Sequence, residues 1–296
     1  MSGYQSFAVV GAGAIGKYVV DGLVEKKNAG VISSVTVLSR SANNHKDLAS
    51  KGVKVVAVDY NSASSIQSVL SGVDVVISTI GHDILEVQDD LVLAAKAAGV
   101  KLFVPSEFGL PTDGPAAGVW GAKYELKQRL NNVFHLPYAA FYTGLFPDYI
   151  FARGFSEAMG FDFVKGEFKI SGTGSAAISW THRVDIGRYL ARILTALPKD
   201  KIEWRTFRME GERTNYNQIV DDWKERSGKD VAISHLPRSH FEDSLTKDPS
   251  NFVSQLILGL DEGKGLVGKS DEITNYEFPD WNPRKVVDAL VELYGQ

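Results

Sequence analysis

The sequence predicts an α/β fold: a doubly wound parallel sheet with a smaller C-terminal α+β lobe. Three observations carry this. Short, β-branched apolar runs alternate with segments of helical spacing through the first half of the chain. A glycine-rich turn, Gly11-Ala12-Gly13-Ala14-Ile15-Gly16, leaves the first of those runs. After about residue 146 the alternation gives way to a stretch rich in Phe and Gly, residues 151–174, and then to further helical segments.

Residues 7–10, 35–39, 54–59, 73–79, 101–106 and 138–143 are the expected strands. Their near-continuous apolar character is what strands covered on both faces require. Ile15, Val19, Val20 and Leu23 make a helical stripe after the first strand. Leu85, Leu91, Leu93, Ala94 and Ala98 lie in a second helical segment, which Gly99 closes just past its end. In the second half, 161–163 and 167–170 read as short strands. Helices are expected over 185–197, 216–227, 252–260 and 283–293, the last opened by Pro283 behind Asn282 as N-cap. Residues 205–209 read as a return of the chain to the sheet. The expected division is 1–150 and 151–296, packed as one body, since no low-complexity linker or internal repeat intervenes.

Composition narrows the function. The 296 residues are 44% hydrophobic and 10% aromatic, enough to bury a substantial core, so disorder is excluded as the main state. A net charge of -4 leaves no basic surplus for nucleic acid or an anionic membrane. No apolar run approaches the roughly 18 residues of a membrane span. The absence of Cys removes disulfides, thiol nucleophiles and Cys-ligated metals. The six His residues, at 45, 82, 135, 182, 235 and 240, show no metal-ligand spacing, and no metal is expected. Residues 1–6 carry no basic side chain, and a cleaved leader would remove the first strand with its glycines. Residues 293–296 match no lipidation signal. Cytoplasmic location is the expectation.

The glycine turn follows the G-x-G-x-x-G pattern, leaving a strand and opening a helix. Gly11 serves the tight turn, Gly13 the close approach of a pyrophosphate and Gly16 the packing of helix on strand, with Ala14 and Ile15 between them. The helix N-terminus then receives phosphate oxygens, and the fold is read as a Rossmann-like dinucleotide site. Cofactor choice turns on the tip of the second strand, Val37-Leu38-Ser39-Arg40, where no carboxylate stands. A guanidinium there binds a 2′-phosphate that a carboxylate would repel, so NADP(H) is expected on Arg40, with Ser39 and Lys46 as further donors. Asp59 and Tyr60 mark a plausible adenine edge. Thr79, Ile80 and Gly81, small or compact at the end of the fourth strand, would lie beside the ribose and nicotinamide. Residues 263–270 also fit a phosphate-loop expression, but a helical run precedes them and no helical pattern follows, so the match is read as coincidence.

The chemistry is not that of the usual Tyr–Lys pair. No Tyr has a Lys four residues on, and Tyr124 with Lys127 misses the spacing by one. Instead the fifth strand runs into Pro105-Ser106-Glu107-Phe108-Gly109. With the glycine loop, Arg40, Leu136-Pro137-Tyr138, Thr143-Gly144-Leu145-Phe146, Val184-Asp185-Ile186-Gly187 and Phe278-Pro279-Asp280-Trp281, this resembles the NmrA-like, isoflavone-reductase-like branch of the atypical short-chain dehydrogenases.

The resemblance implies an NADPH-dependent reductase of small aromatic, phenolic or conjugated-carbonyl molecules, with one Lys as general acid/base. Lys123 matches that Lys by its distance from Leu136-Pro137-Tyr138 and by Leu126 and Leu130 after it. It would also anchor the cofactor ribose. Lys127, one turn on, is the fallback. Lys123 is expected to be an exposed helix position, and loss of Lys127 to be mild. His82 is a weaker candidate for reaching the nicotinamide, and Glu107 is read as structural. Phe146, Tyr149, Phe155, Phe161 and Phe163 are read as core more than as pocket lining. The alternative function is an NmrA-like sensor that binds NADP(H) and acts through a protein partner without catalysis.

Overall fold

The computed structural model describes residues 3–60 and 62–295. Met1, Ser2 and Gln296, which enter the targeting argument, lie outside them. The first half contains β1 (Ser6–Val10), α1 (Gly16–Asn28), β2 (Ser34–Ser39), α2 (Lys46–Ser50), β3 (Lys54–Ala57), α3 (Ala63–Leu70), β4 (Val75–Ser78), α4 (Val87–Ala97), β5 (Leu102–Val104), α5 (Gly118–Arg129) and β6 (Ala139–Tyr142). Then come α6 (Pro147–Ile150), α7 (Phe155–Ala158), β7 (Phe161–Asp162), β8 (Glu167–Ser171), β9 (Ile178–Trp180) and α8 (Arg183–Ala196). The chain ends through β10 (Arg205–Arg208), β11 (Glu212–Thr214), α9 (Tyr216–Ser227), β12 (Ala232–Leu236), α10 (Arg238–Lys247), α11 (Phe252–Asp261) and α12 (Val286–Tyr294).

The main sheet has the order β3-β2-β1-β4-β5, all parallel. A parallel bridge from Phe103 to Tyr138 continues it to β6, and β6 pairs in parallel with β10. The expected return at 205–209 is therefore made, with Phe207 stacked on Phe141 at 5.1 Å. Strand order reverses between β1 and β4, so the carboxyl end of β1 is the switch point where open α/β sheets bind ligands. Alternate residues of the strands face two cores. Phe7, Val9, Val37 and Ile77 pack with α1 and α8, while Ala8, Val10, Val76 and Phe103 pack with α3, α4 and α5. A third core fills the smaller lobe, around Phe161, Phe168, Trp180 and Trp223. No helix among the described residues is long and apolar enough to cross a membrane.

The expected helix at 283–293 begins later, at Val286. Two of the first backbone donors are taken by distant carboxylates, while Lys285 N–H between them donates locally to Asp288 at 3.0 Å. Arg284 N–H donates to Asp185 at 2.9 Å and Val286 N–H to Glu212 at 2.7 Å, which holds Pro283 in an extended approach. Eight elements escaped the sequence reading: α2, α3, α6, α7, β9, β11, β12 and α10. Helix α3 is capped by Ser62, which accepts from Ser65 N–H at 3.3 Å. Strand β12 and helix α10 are too polar to show a pattern, and α10 buries only Phe241.

Helix α8 belongs by sequence to the second half but packs on α1 with backbone against backbone. A Cβ on Gly187 would sit 2.1 Å from the Tyr18 carbonyl oxygen, and one on Gly22 would sit 2.4 Å from the Gly187 carbonyl oxygen. Neither neighbour is a side chain that can turn away. Gly187→Ala is therefore expected to lower unfolding stability by about 1–3 kcal/mol through overpacking, read as a shift in the urea midpoint.

Candidate active site

The glycine loop is shaped by its neighbours in the protein at two positions and open at the third. Gly11 N–H donates to the Leu38 carbonyl at 2.8 Å, and its φ of +88° is one that side chains rarely adopt. The Thr79 hydroxyl donates to the carbonyls of Gly11 at 2.7 Å and Val10 at 3.1 Å. A Cβ on Gly16 would lie 2.3 Å from Gly11 O and 2.5 Å from Thr79 Oγ1. Gly13 differs. It has an ordinary φ, and a Cβ there would meet no protein atom within 4 Å. The space beside it is open. The N-terminus of α1 has no side-chain cap either, which leaves its N–H groups and dipole directed at the same open space.

Three cavities follow one another along the carboxyl edge of the sheet. The central one, about 270 Å³, is lined by Gly11, Gly13, Ser39, Arg40, Thr79, Ile80 and Gly81 among others. Beyond Arg40 a second, of about 580 Å³, includes Asp59 and Tyr60. Beyond Gly81 a third, of about 440 Å³, takes in Ala14, Ile15 and Lys123. The residues fit NADP(H): uncapped helix N–H groups and the open Gly13 for the pyrophosphate, and the Arg40 guanidinium at the tip of β2. Lys46 lines none of the three and is exposed on the first turn of α2. Its neighbour His45 faces the central cavity instead, with Nε2 3.1 Å from Ser39 Oγ. His45 was missed because a cation next in sequence drew the assignment.

The turn after β5 brings Glu107 together with the two lysines of α5. Ser106 is pinned by its hydroxyl to the Ile80 carbonyl at 2.8 Å and by its N–H to Gln88 at 2.8 Å. Glu107 N–H bonds the Pro105 carbonyl at 2.8 Å, and Phe108 is held at a φ of +35°. This strained turn aims the Glu107 main-chain carbonyl at α5, where Lys123 Nζ donates to it at 2.6 Å. Burial pushes the Lys123 ammonium below the ordinary lysine range. Lys127 pushes the same way and Glu107 opposes it. Lys123 is thus half-buried in the cavity, not an exposed helix position.

Lys127 also departs from the sequence reading. It is 6% exposed and engages the Glu107 carboxylate at 3.6 Å, the Thr112 carbonyl at 3.0 Å, Asp113 at 3.7 Å and the Tyr142 hydroxyl. Glu107, itself 3% exposed, also accepts from the Thr112 hydroxyl at 3.0 Å. Burial alone would raise the Asp113 pKa, but hydrogen bonds from Tyr142 and Arg208 outweigh it and hold the carboxyl below its ordinary value. The pair on one helix face has therefore divided: Lys123 opens on the cavity and Lys127 neutralises a buried carboxylate.

The rest of the third cavity is apolar and aromatic, with Phe108, Trp120, Phe146, Tyr149, Phe155 and Phe252 in its wall beside His82. Of the five aromatics read as core, Phe146, Tyr149 and Phe155 line it, whereas Phe161 and Phe163 are buried in the smaller lobe. Trp120 and Phe252 were missed. At 263–270 the loop spends carbonyls rather than N–H groups: Val267 O accepts from Arg208, and Gly268 O from Arg213 at 2.9 Å. That geometry does not cradle a phosphate.

Against known families, the NmrA-like family profile matches residues 5–274. The chain belongs to the NmrA-like family. An isoflavone reductase homolog P3 from Arabidopsis thaliana is 27% identical over 81% of this chain and 80% of its own length. The phenylcoumaran benzylic ether reductase Pyrc5 from Pyrus communis is 27% identical over 92% of this chain and 89% of its own. The structure of leucoanthocyanidin reductase with NADPH from Vitis vinifera superposes with a TM-score of 0.82, at 20% identity, over 99% of this chain and 100% of that one. This likeness shows that the NmrA-like chain has the fold read from its sequence.

Two substitutions in the loop separate binding from folding. Gly13→Val should leave stability within about 0.5 kcal/mol, as at other unpacked sites, while NADP+ affinity falls severely. Gly16→Ala should instead cost about 1–3 kcal/mol; calorimetric titration alongside thermal unfolding reads both. Arg40→Asp should reverse the preference between NADP+ and NAD+, and equal affinities for both cofactors before and after the change would remove Arg40 from 2′-phosphate recognition.

Proposed function

We propose that the chain is an NADPH-dependent reductase of small aromatic, phenolic or conjugated-carbonyl metabolites, with Lys123 as its general acid/base. One observation carries the reading: the ammonium of Lys123 opens into an aromatic-lined cavity that adjoins the glycine loop, in surroundings that lower its pKa. The names of the isoflavone-reductase and benzylic-ether-reductase relatives support the same class. NADPH, when bound along the carboxyl edge, supplies the hydride. The chain supplies the rest. Ile15, Ile80 and Gly81 bound the space beside the reacting face, and the apolar wall excludes water. Lys123, fixed by its bond to Glu107 O, has two further N–H donors for a ribose hydroxyl and the substrate oxygen. It delivers its proton where the hydride transfer builds negative charge. Gly11, Gly13, Ala14, Ile15, Gly16, Ser39, Arg40, Thr79, Ile80, Gly81 and Lys123 constitute the cofactor site in this reading, with Lys46 dropped in favour of His45. The relatives carry the names of reductases, and the reductase reading is preferred to the sensor alternative for that reason.

The test is NADPH oxidation with a panel of phenolic enones, quinones and benzylic ethers. Turnover of at least one is expected; tight NADP(H) binding with none would move the assignment to the sensor. Lys123→Ala should lower kcat by more than about 100-fold and leave the chain folded. For a proton donor, kcat/KM falls as pH rises through its pKa, so the wild-type decline should begin below the ordinary lysine range and vanish in Lys123→Ala. Lys127→Ala should act on stability instead. It strands the buried Glu107 carboxylate at a cost of about 3–5 kcal/mol, where the sequence alone suggested a mild effect.

A further inference from the structure

Beside the glycine turn stands a cation to which neither cofactor binding nor proton transfer has so far given a task. Arg183, the first residue of α8, has a side chain only 11% exposed. Its Nε donates to the Asp148 carboxylate at 2.8 Å and its Nη2 to the Asp148 main-chain carbonyl at 3.0 Å. The guanidinium also lies over the rings of Tyr18, at 4.9 Å, and Tyr149, at 5.1 Å. With its plane fixed in this way, Nη1 reaches the glycine turn and donates to the Ala14 carbonyl at 3.0 Å. Three directed bonds from one rigid fork are what a guanidinium provides and a flexible ammonium does not.

The bond acts on the peptide unit behind it. The carbonyl and N–H of a trans peptide point in opposite directions, so holding Ala14 O toward α8 turns Ile15 N–H away from α8. Ile15 N–H has no acceptor among the described residues. Ile15 is also the residue at which α1 begins, where no side chain caps the helix. We propose that Arg183 is a positioning residue for the cofactor: by fixing Ala14 O it aims Ile15 N–H at the pyrophosphate of NADP(H), without itself touching the cofactor. A peptide free to rotate would have to be ordered when the phosphates bind. Arg183 makes that ordering part of folding, and the entropy is no longer drawn from the binding step. The inference rests on the NADP(H) reading of the glycine loop and supplies the group that orients its N–H.

The experiment titrates NADP+ and adenosine 2′-monophosphate by calorimetry into the wild type and Arg183→Met. The smaller nucleotide carries the 2′-phosphate but no pyrophosphate. Arg183→Met should weaken NADP+ at least about tenfold, the scale of one hydrogen bond to a charged group, and leave adenosine 2′-monophosphate unchanged. Because that variant strands the Asp148 carboxylate, Arg183→Met combined with Asp148→Asn is measured beside it and should show the same split. In protein labelled with 15N-isoleucine, the Ile15 amide proton should move downfield when NADP+ is added to the wild type. It should stay in place in both variants, a signature that a packing role alone does not require. Unchanged NADP+ affinity, or an equal loss for both nucleotides, overturns the proposal. So does an Ile15 shift that is missing from the wild type or persists in the variants, where Arg183 would act through its charge alone. Any of these failures with adenosine 2′-monophosphate still bound by the wild type leaves the cofactor reading standing. A wild type that binds neither nucleotide defeats that reading and this inference with it.

Discussion

The contact between the ends of β1 and β4 is the constraint on which the rest of the site depends. There the Thr79 hydroxyl ties to two successive carbonyls of the turn, and Gly16 passes so close that no Cβ fits. The start of α1 is thereby set against the sheet at one distance and one angle, with its N–H groups directed outward. The same strand end passes into Ile80, whose carbonyl anchors Ser106, and so fixes the turn that carries Glu107 and Phe108. The glycine turn and the turn after β5 are parts of one hydrogen-bonded junction. Their spacing is inherited from strand pairing and does not depend on loop flexibility.

Around Glu107 the electrostatics are divided by atom. Its carboxylate is taken by Lys127 and the Thr112 hydroxyl, while its main-chain carbonyl holds Lys123. A neutral acceptor positions an ammonium without drawing it into an ion pair, so burial is left to depress the pKa. Had Lys123 taken the carboxylate, the mutual attraction would have opposed that depression. The second lysine is what keeps the first one available.

Legibility in the sequence followed the range of the interactions concerned. The six parallel strands and the return at 205–208 were read from runs of Val, Ile and Phe, because burial on both faces is a local requirement written into each run. The glycine loop was legible for the same reason. What escaped was decided by partners far away in sequence. Pro283 fails to open α12 because Asp185 and Glu212 claim two of the first N–H groups, and nothing near residue 283 announces that. Lys127 resembles any surface lysine of an amphipathic helix until Glu107 and Tyr142 are brought beneath it. Trp120 and Phe252 meet only because α11 folds back over α5. His45 and Lys46 are neighbours whose assignment turns on how one short turn points.

The backbone contact between α1 and α8 bears on how the protein is made. One face of the main sheet, carrying Val9, Val37 and Ile77, is covered jointly by α1 and by Ile186, Leu190 and Ile193 of α8. Arg183, at the start of α8, also donates to the Ala14 carbonyl at 3.0 Å, within the glycine turn itself. A nascent chain that has cleared the ribosome only as far as β6 therefore carries a sheet face that α1 covers only in part, and a glycine loop without its Arg183 contact. Closure waits for about 65 more residues, through α8 to β10. Over that interval the part of the apolar sheet face that α8 covers in the finished fold is open to water.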